Sequence, residues 1–177
     1  PMAEEVRAFS FQPGDVNEVV RNDNGQSIKR GSVHDLQPGK WLNDELIQCF
    51  SALVTNEDQR LSSEEPSRKR SHVHSTFFYS LLMGGDAGVC SYKEVISWTN
   101  KLDVFECDKI LIPINVERVH WIAVVVSMTD KQVQLYDPMG SSRSDARLYF
   151  DQVLQFLRDE HRKQQDRELQ TQAHWRL

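Results

Sequence analysis

Two apolar runs and one polar–apolar alternation follow each other between Asp108 and Ser141, in the stretch DKILIPINVERVHWIAVVVSMTDKQVQLYDPMGS. Ile110–Val116 and Trp121–Val126 are short, continuous and rich in Ile and Val, the pattern of buried strands. Gln132–Tyr136 alternates and reads as a half-exposed strand. A turn around Met128–Lys131 folds the last two runs into a hairpin. His120 opens the second run and Asp137 closes the third, so the hairpin sets both near one end of a sheet. A His held by an Asp is the base half of a nucleophilic triad. On periodicity alone, a His at a strand start is more often a packed or surface residue, so both readings stand here.

A chain of 177 residues is long enough for one domain with a real core. Hydrophobic residues make up 39% and charged residues 27%, which is ordinary for a globular chain and excludes a low-complexity or fibrous one. No run reaches the length of a membrane span, and no basic-then-apolar leader is read at Pro1–Ser10, so no membrane association is expected. The net charge of −5 gives no case for a broad nucleic-acid footprint. Three cysteines build no disulfide framework and fit a reducing compartment.

Residues 1–30 are polar, with turn signals at Pro13-Gly14 and Asn22–Gln26, and read as an N-terminal arm. Phe9, Phe11, Val16, Val19 and Val20 are available to pack it down. A short strand and turn are expected between Ile28 and Leu36. Trp41–Val54 reads as a helix capped by Asn43 or Asp44, with Leu46, Cys49, Phe50 and Leu53 on one buried face. Within Thr55–His74, Glu64–Ser71 is charged, contains Pro66 and reads as a solvated loop. Its Arg68-Lys69-Arg70 has the composition of a nuclear-import signal, although short basic runs on loops are common. His72 and His74 share a face if extended, but no further Cys or His stands at zinc spacing, so no metal and no cofactor are expected. Gly84–Gly88 is a flexible break and not a phosphate loop, since no Lys-Ser/Thr follows at the required spacing. Ser91–Asn100 is expected to be a short helix with Tyr92, Val95, Ile96 and Trp98 turned inward. Ala146–Glu160 is a clear amphipathic helix, capped by Ser144 or Asp145. Its stripe is Ala146, Tyr149, Phe150, Val153, Leu154 and Leu157. The polar run from His161 continues it as a tail or loop, and Ala173–Leu177 has the start of a strand.

Three separated motifs carry a family resemblance. They are Lys40-Trp41-Leu42-Asn43-Asp44-Glu45, Ser75-Thr76-Phe77-Phe78-Tyr79, and His120-Trp121 followed by Tyr136-Asp137-Pro138, with His and Asp 17 residues apart. Together they resemble the Ulp/SENP cysteine proteases, which process SUMO and related ubiquitin-like proteins, over roughly Gly31 to the C-terminus. The resemblance implies an α+β, papain-like cysteine protease fold in the Ulp/adenain-type order. Its mixed central sheet is flanked by helices, and its C-terminal part is missing. Residues 31–177 are then a partial protease domain.

The resemblance also implies that His120 and Asp137 are catalytic. Trp41 and Trp121 would be the substrate-binding walls of a tunnel for a Gly-Gly tail; on their own, each is more readily a packing aromatic. The family's nucleophile lies downstream of the aspartate in a Q…DCG block, expected just beyond Leu177. The nucleophilic Cys and the oxyanion-hole Gln are therefore absent from the chain, which is expected to be inactive alone. Among the cysteines present, Cys107 lies between two acids that raise a thiol pKa. Cys49 sits on a helix face, and Cys90 lacks a partner pattern.

The expected function is that of a SUMO-specific thiol protease or isopeptidase acting after Gly-Gly. It would be a monomer, nuclear or cytoplasmic, with SUMO or a related modifier and its lysine conjugates as partners. The short segment Asn115–Val119 favours SUMO, because relatives acting on NEDD8 tend to carry an insertion there. The alternatives are a non-catalytic module that binds a ubiquitin-like modifier, a protease for another modifier such as NEDD8, and a viral- or bacterial-type processing protease.

Overall fold

Val19–Asp23 and Gln26–Lys29 pair antiparallel as strands β1 and β2, with Arg21 opposite Ile28, and Arg30–His34 follows as the short helix α1. The computed structural model describes residues 11–23, 26–85, 91–165 and 175–176. The chain divides into two units, Pro1–Asn56 and Glu57–Leu177. In the first, Ile28, Val33 and Leu46 are buried together, and Phe11, Val20 and Cys49 pack against them. Each such side chain removed from water contributes about 1.5–3 kcal/mol. Val16 and Val19, expected to help pack this segment, are exposed at 56% and 50%, and Phe9 lies outside the described residues. Glu45 ties the pieces together: it accepts from Ser32 Oγ at 2.7 Å and from Lys29 N at 3.1 Å.

Helix α2 runs over Asp44–Glu64, starting three residues later and ending ten residues further on than the sequence suggests. Its start is set by Asn43, whose Oδ1 accepts from Leu46 N at 3.1 Å and satisfies one of the free amides. Its second half has no apolar stripe. Arg60 pairs there with Glu57 and Glu64, and Asp58 is 8% exposed, accepting from Arg68 Nη2 at 2.8 Å and Ser71 N at 2.7 Å. Part of the charged segment is thus helix, and Arg68 is tied to that helix by an ion pair. The expected buried face holds only at its beginning. Leu46 is buried and Cys49 half-buried, whereas Phe50 and Leu53 are 67% and 49% exposed, because the small apolar cluster reaches only the first turns.

The second unit is built on a four-stranded mixed sheet. His72–Val73 (β3) runs parallel to Lys109–Val116 (β4), which is antiparallel to His120–Ser127 (β5), itself antiparallel to Gln132–Tyr136 (β6). Ile110, Ile112 and Ile114 face Val126, Val124 and Ile122 across the β4–β5 ladder, and all six are buried. Pro113 lies in β4 beyond the last residue paired with β3, where one edge of the strand asks for no ladder hydrogen bond.

Helix α3 (Phe78–Leu82) brings Phe78 and Leu82 into this core, and α4 (Tyr92–Val95) adds Val95. The chain then tightens into a 3₁₀ turn over Ile96–Thr99. The shorter pitch changes the phase of the side chains. Ile96 and Trp98, expected inside, are 39% and 36% exposed, and Thr99 is buried instead.

Helix α5 covers Arg143–Gln165 and lays Phe150, Val153, Leu154, Phe156 and Leu157 on the core. Its first free amides are met by Ser142, whose Oγ accepts from Asp145 N at 3.2 Å, rather than by Ser144 or Asp145. Phe156, outside the expected stripe, meets Phe78 edge to face at 5.0 Å. Glu160 is fully buried, accepting from Tyr92 Oη at 2.6 Å, Thr99 Oγ1 at 2.7 Å and Gln164 Nε2 at 2.7 Å. Near the C-terminus Arg176 pairs in parallel with Gln132, and Trp175 packs on the core, while residues 171–174 and Leu177 lie outside the described residues.

Candidate active site

The β4–β5 turn fixes where His120 stands. Val119 N donates to Val116 O at 3.1 Å, and the two residues between, Glu117 and Arg118, have φ of 51° and 63°. This tight turn matches the twist of a hairpin, although left-handed backbone at non-glycine residues is strained. His120 is then the first residue of β5, opposite Val116. On the other side of β5, Ala123 pairs with Tyr136. Continuing that register by one step sets Asp137 level with Ile122, on the face His120 shares.

His120 Nε2 lies 2.6 Å from Asp137 Oδ1, with the two side chains 15% and 9% exposed. Asp137 is held from three sides: His120 Nε2 and Met139 N (2.9 Å) reach Oδ1, and Ser141 Oγ donates to Oδ2. These bonds, led by the one from Ser141, hold its carboxyl down to about 2. The carboxylate is therefore ionised at neutral pH and can only accept. Nε2 must carry the proton between them, which leaves Nδ1 as the ring atom able to take up or release another. An imidazole oriented in this way is suited to draw a proton from a thiol and to be stabilised as imidazolium.

The structure thus brings together His120 and Asp137, and adds Ser141, which the sequence did not single out. A signal for it existed in Asp137-Pro138-Met139-Gly140-Ser141, where an Asp turns the chain onto its own following amides and a glycine permits the left-handed step. Trp121 is half-buried on β5, opposite Asn115. Trp41 belongs to the first unit and is 64% exposed.

Cys107 is 6% exposed, and burial, assisted by the Asp103 carboxylate, pushes its thiol up to about 11. It stays protonated at neutral pH, and of the two acids beside it in sequence only Glu106 contributes, as a lesser cause. Cys49 is half-buried on α2, and Cys90 lies outside the described residues. His74 is buried and stacked on Phe78 at 3.6 Å, with His72 edge-on at 4.5 Å, which is a packing arrangement. Among the described residues, no three His, Cys, Asp or Glu side chains gather as a metal site.

A family model described as "Ulp1 protease family, C-terminal catalytic domain" matches residues 40–176. The chain is 30% identical over 156 residues to sentrin-specific protease 2 of Homo sapiens, covering 88% of this chain and 24% of that protein. It is 32% identical over 134 residues to ubiquitin-like-specific protease 1A of Arabidopsis thaliana, covering 72% of this chain and 26% of that protein. It thus spans about a quarter of the length of the curated relatives it matches. Among solved structures, the C-terminal Ulp1 protease domain in complex with Smt3, the yeast ortholog of SUMO, superposes with a TM-score of 0.73 at 21% identity. That match covers 91% of this chain and 66% of that one. The Chaetomium thermophilum Ulp1-like SUMO protease catalytic domain gives 0.64 at 21% identity, covering 98% and 66%. These likenesses agree with the α+β architecture, the mixed sheet flanked by helices and the motif resemblance. The chain belongs to the Ulp1 protease family of cysteine proteases.

Proposed function

We propose that this chain carries the base half of a thiol protease site that cleaves after the Gly-Gly tail of SUMO or a closely related ubiquitin-like protein. The contact between His120 Nε2 and Asp137 Oδ1 at 2.6 Å carries the reading. In the reaction a cysteine thiolate attacks the terminal glycine carbonyl. His120, holding the thiol's proton on Nδ1, passes it to the departing lysine or peptide amine as the C–N bond breaks. Water then attacks the thioester with His120 as base and releases the modifier's carboxylate. Asp137 keeps the ring in the required tautomer and stabilises its charged form. Trp41 and Trp121 are each assigned as substrate-binding residues, as the resemblance implies: a flat aromatic face lies against glycine and excludes residues with side chains. The short segment Asn115–Val119, which turns tightly at Glu117 and Arg118, supports SUMO over NEDD8, as the resemblance implies.

No cysteine follows Asp137 in the 177 residues, and the nucleophile is assigned to none of Cys49, Cys90 and Cys107. Residues 1–177 alone are accordingly inactive in this reading. The alternative held open from the sequence is a non-catalytic module that binds a ubiquitin-like modifier. The test uses residues 1–177, alone and joined to the downstream Q…DCG block the family implies. Both are assayed on a SUMO precursor and with a tail-directed electrophilic probe. Thiol-dependent cleavage by the longer form alone supports the protease, and tail binding without cleavage by either form supports the module.

A further inference from the structure

We propose that Ser141 is a positioning residue for the His120–Asp137 pair: its hydroxyl anchors Asp137 Oδ2 and so keeps Oδ1 aimed at the imidazole. The two oxygens of Asp137 are not equivalent. Oδ1 takes His120 Nε2 at 2.6 Å and Met139 N at 2.9 Å, whereas Oδ2 takes the Ser141 hydroxyl. A carboxylate anchored through one oxygen turns about its terminal torsion, which has broad, two-fold wells. A donor on the second oxygen stops that rotation.

The chain is shaped to deliver this donor. Asp137 O accepts from Gly140 N at 3.2 Å, closing a turn over Pro138 and Met139. Gly140 then takes φ 81°, where an added Cβ would meet nothing within 4 Å, so the glycine serves the backbone conformation rather than a close contact. That left-handed step returns residue 141 to the carboxylate. The neighbouring hydroxyl is committed elsewhere, since Ser142 Oγ caps α5 through Asp145 N. With the Asp137 side chain only 9% exposed, water has limited room to replace the serine. The Ser141 bond is also the largest of the influences that keep the carboxyl ionised, ahead of the His120 bond itself.

The catalytic meaning of this role rests on the protease reading above, but its test needs no turnover. The Asp137 carboxyl and the His120 ring nitrogens are followed by NMR through a pH titration of the 177-residue protein and of the variants Ser141→Ala, Ser141→Thr and Ser141→Val. In the parent, the Asp137 midpoint is expected at about 2, and His120 is expected as one tautomer, protonated on Nε2, the nitrogen that faces Oδ1. In Ser141→Ala and Ser141→Val the Asp137 midpoint moves up toward the ordinary value of about 3.9, and the tautomer signal becomes mixed. Ser141→Thr follows the parent. Threonine and valine have nearly the same shape, so their difference isolates the hydroxyl even if the alanine variant folds poorly. Equal titrations for threonine and valine, or an alanine variant that titrates as the parent does, overturn the proposal. Failure of the chain extended through the downstream Q…DCG block to cleave a Gly-Gly tail would overturn the protease reading and leave these titrations standing.

Discussion

Replacing His74 by Phe should make the second unit progressively more stable than the parent as the pH falls below about 6.5, the ordinary range of a histidine in an unfolded chain. His74 is 2% exposed, stacked on Phe78 with ring centres 3.6 Å apart, edge-on to Phe156 at 5.9 Å and to His72 at 4.5 Å. Its Nε2 is buried without a hydrogen-bond partner. Burial, with His72 adding to it, holds its protonation well below the usual range. The unfolded chain therefore binds the proton first as the pH drops. The stability tied to a neutral His74 is complete above about 6.5 and is lost below it, at up to about 1.4 kcal/mol per pH unit. The loss deepens as the pH falls further toward 5. At neutral pH two effects oppose each other. Removing an unsatisfied nitrogen gains about 1–3 kcal/mol, and the larger ring costs a similar amount in packing. The diagnostic is thus the pH dependence of the difference. Urea unfolding of parent and variant between about pH 7.5 and pH 5 measures it, with equal slopes in denaturant required. Midpoints that fall in parallel would refute the reasoning, because they would place the lost protons on groups other than His74.

Three further outcomes follow from the geometry. Changing Glu117 and Arg118 to Asn and Gly relieves two left-handed residues and should stabilise the hairpin by about 1–2 kcal/mol in urea unfolding, and no gain would contradict the turn that sets His120. Replacing Glu160 by Ala strips the acceptor from Tyr92, Thr99, Gln164 and Lys163 and should cost about 3 kcal/mol or more; a wild-type urea midpoint would show that this carboxylate does not tie α4 and its 3₁₀ turn to α5. Cys107 should resist alkylation by iodoacetamide in the folded protein at neutral pH, with mass spectrometry as the readout, since its thiol sits at about 11 and is nearly buried.

What was legible in the sequence was whatever alternation and turn chemistry encode. β4, β5 and β6 fall within a residue of the apolar runs, and the short β5–β6 turn alone forces His120 and Asp137 to one end of the sheet. The second half of α2 was hidden because it is held by ion pairs and by buried Asp58, with no apolar stripe to reveal it. Phe50 and Leu53 show the opposite difficulty: helical spacing marks a shared face, but whether neighbours cover it depends on the tertiary structure. Ile96 and Trp98 turn outward because a 3₁₀ turn replaces the α-helical phase. Glu160 lay unseen in a polar run, since only the folded chain supplies its buried partners. Ser141 was missed for a local reason, because its bond depends on the left-handed backbone of Gly140.

The central claim, that His120 and Asp137 activate a thiol toward a Gly-Gly tail, is tested most directly by single-turnover cleavage of a SUMO precursor. The enzyme is residues 1–177 joined to the downstream cysteine block, compared with its His120→Ala and Asp137→Asn variants. Cleavage after Gly-Gly by the parent and a loss of about 10³-fold or more in each variant are expected. Retained cleavage in His120→Ala, or labelling of residues 1–177 alone by a Gly-Gly electrophile at Cys49, Cys90 or Cys107, would contradict it.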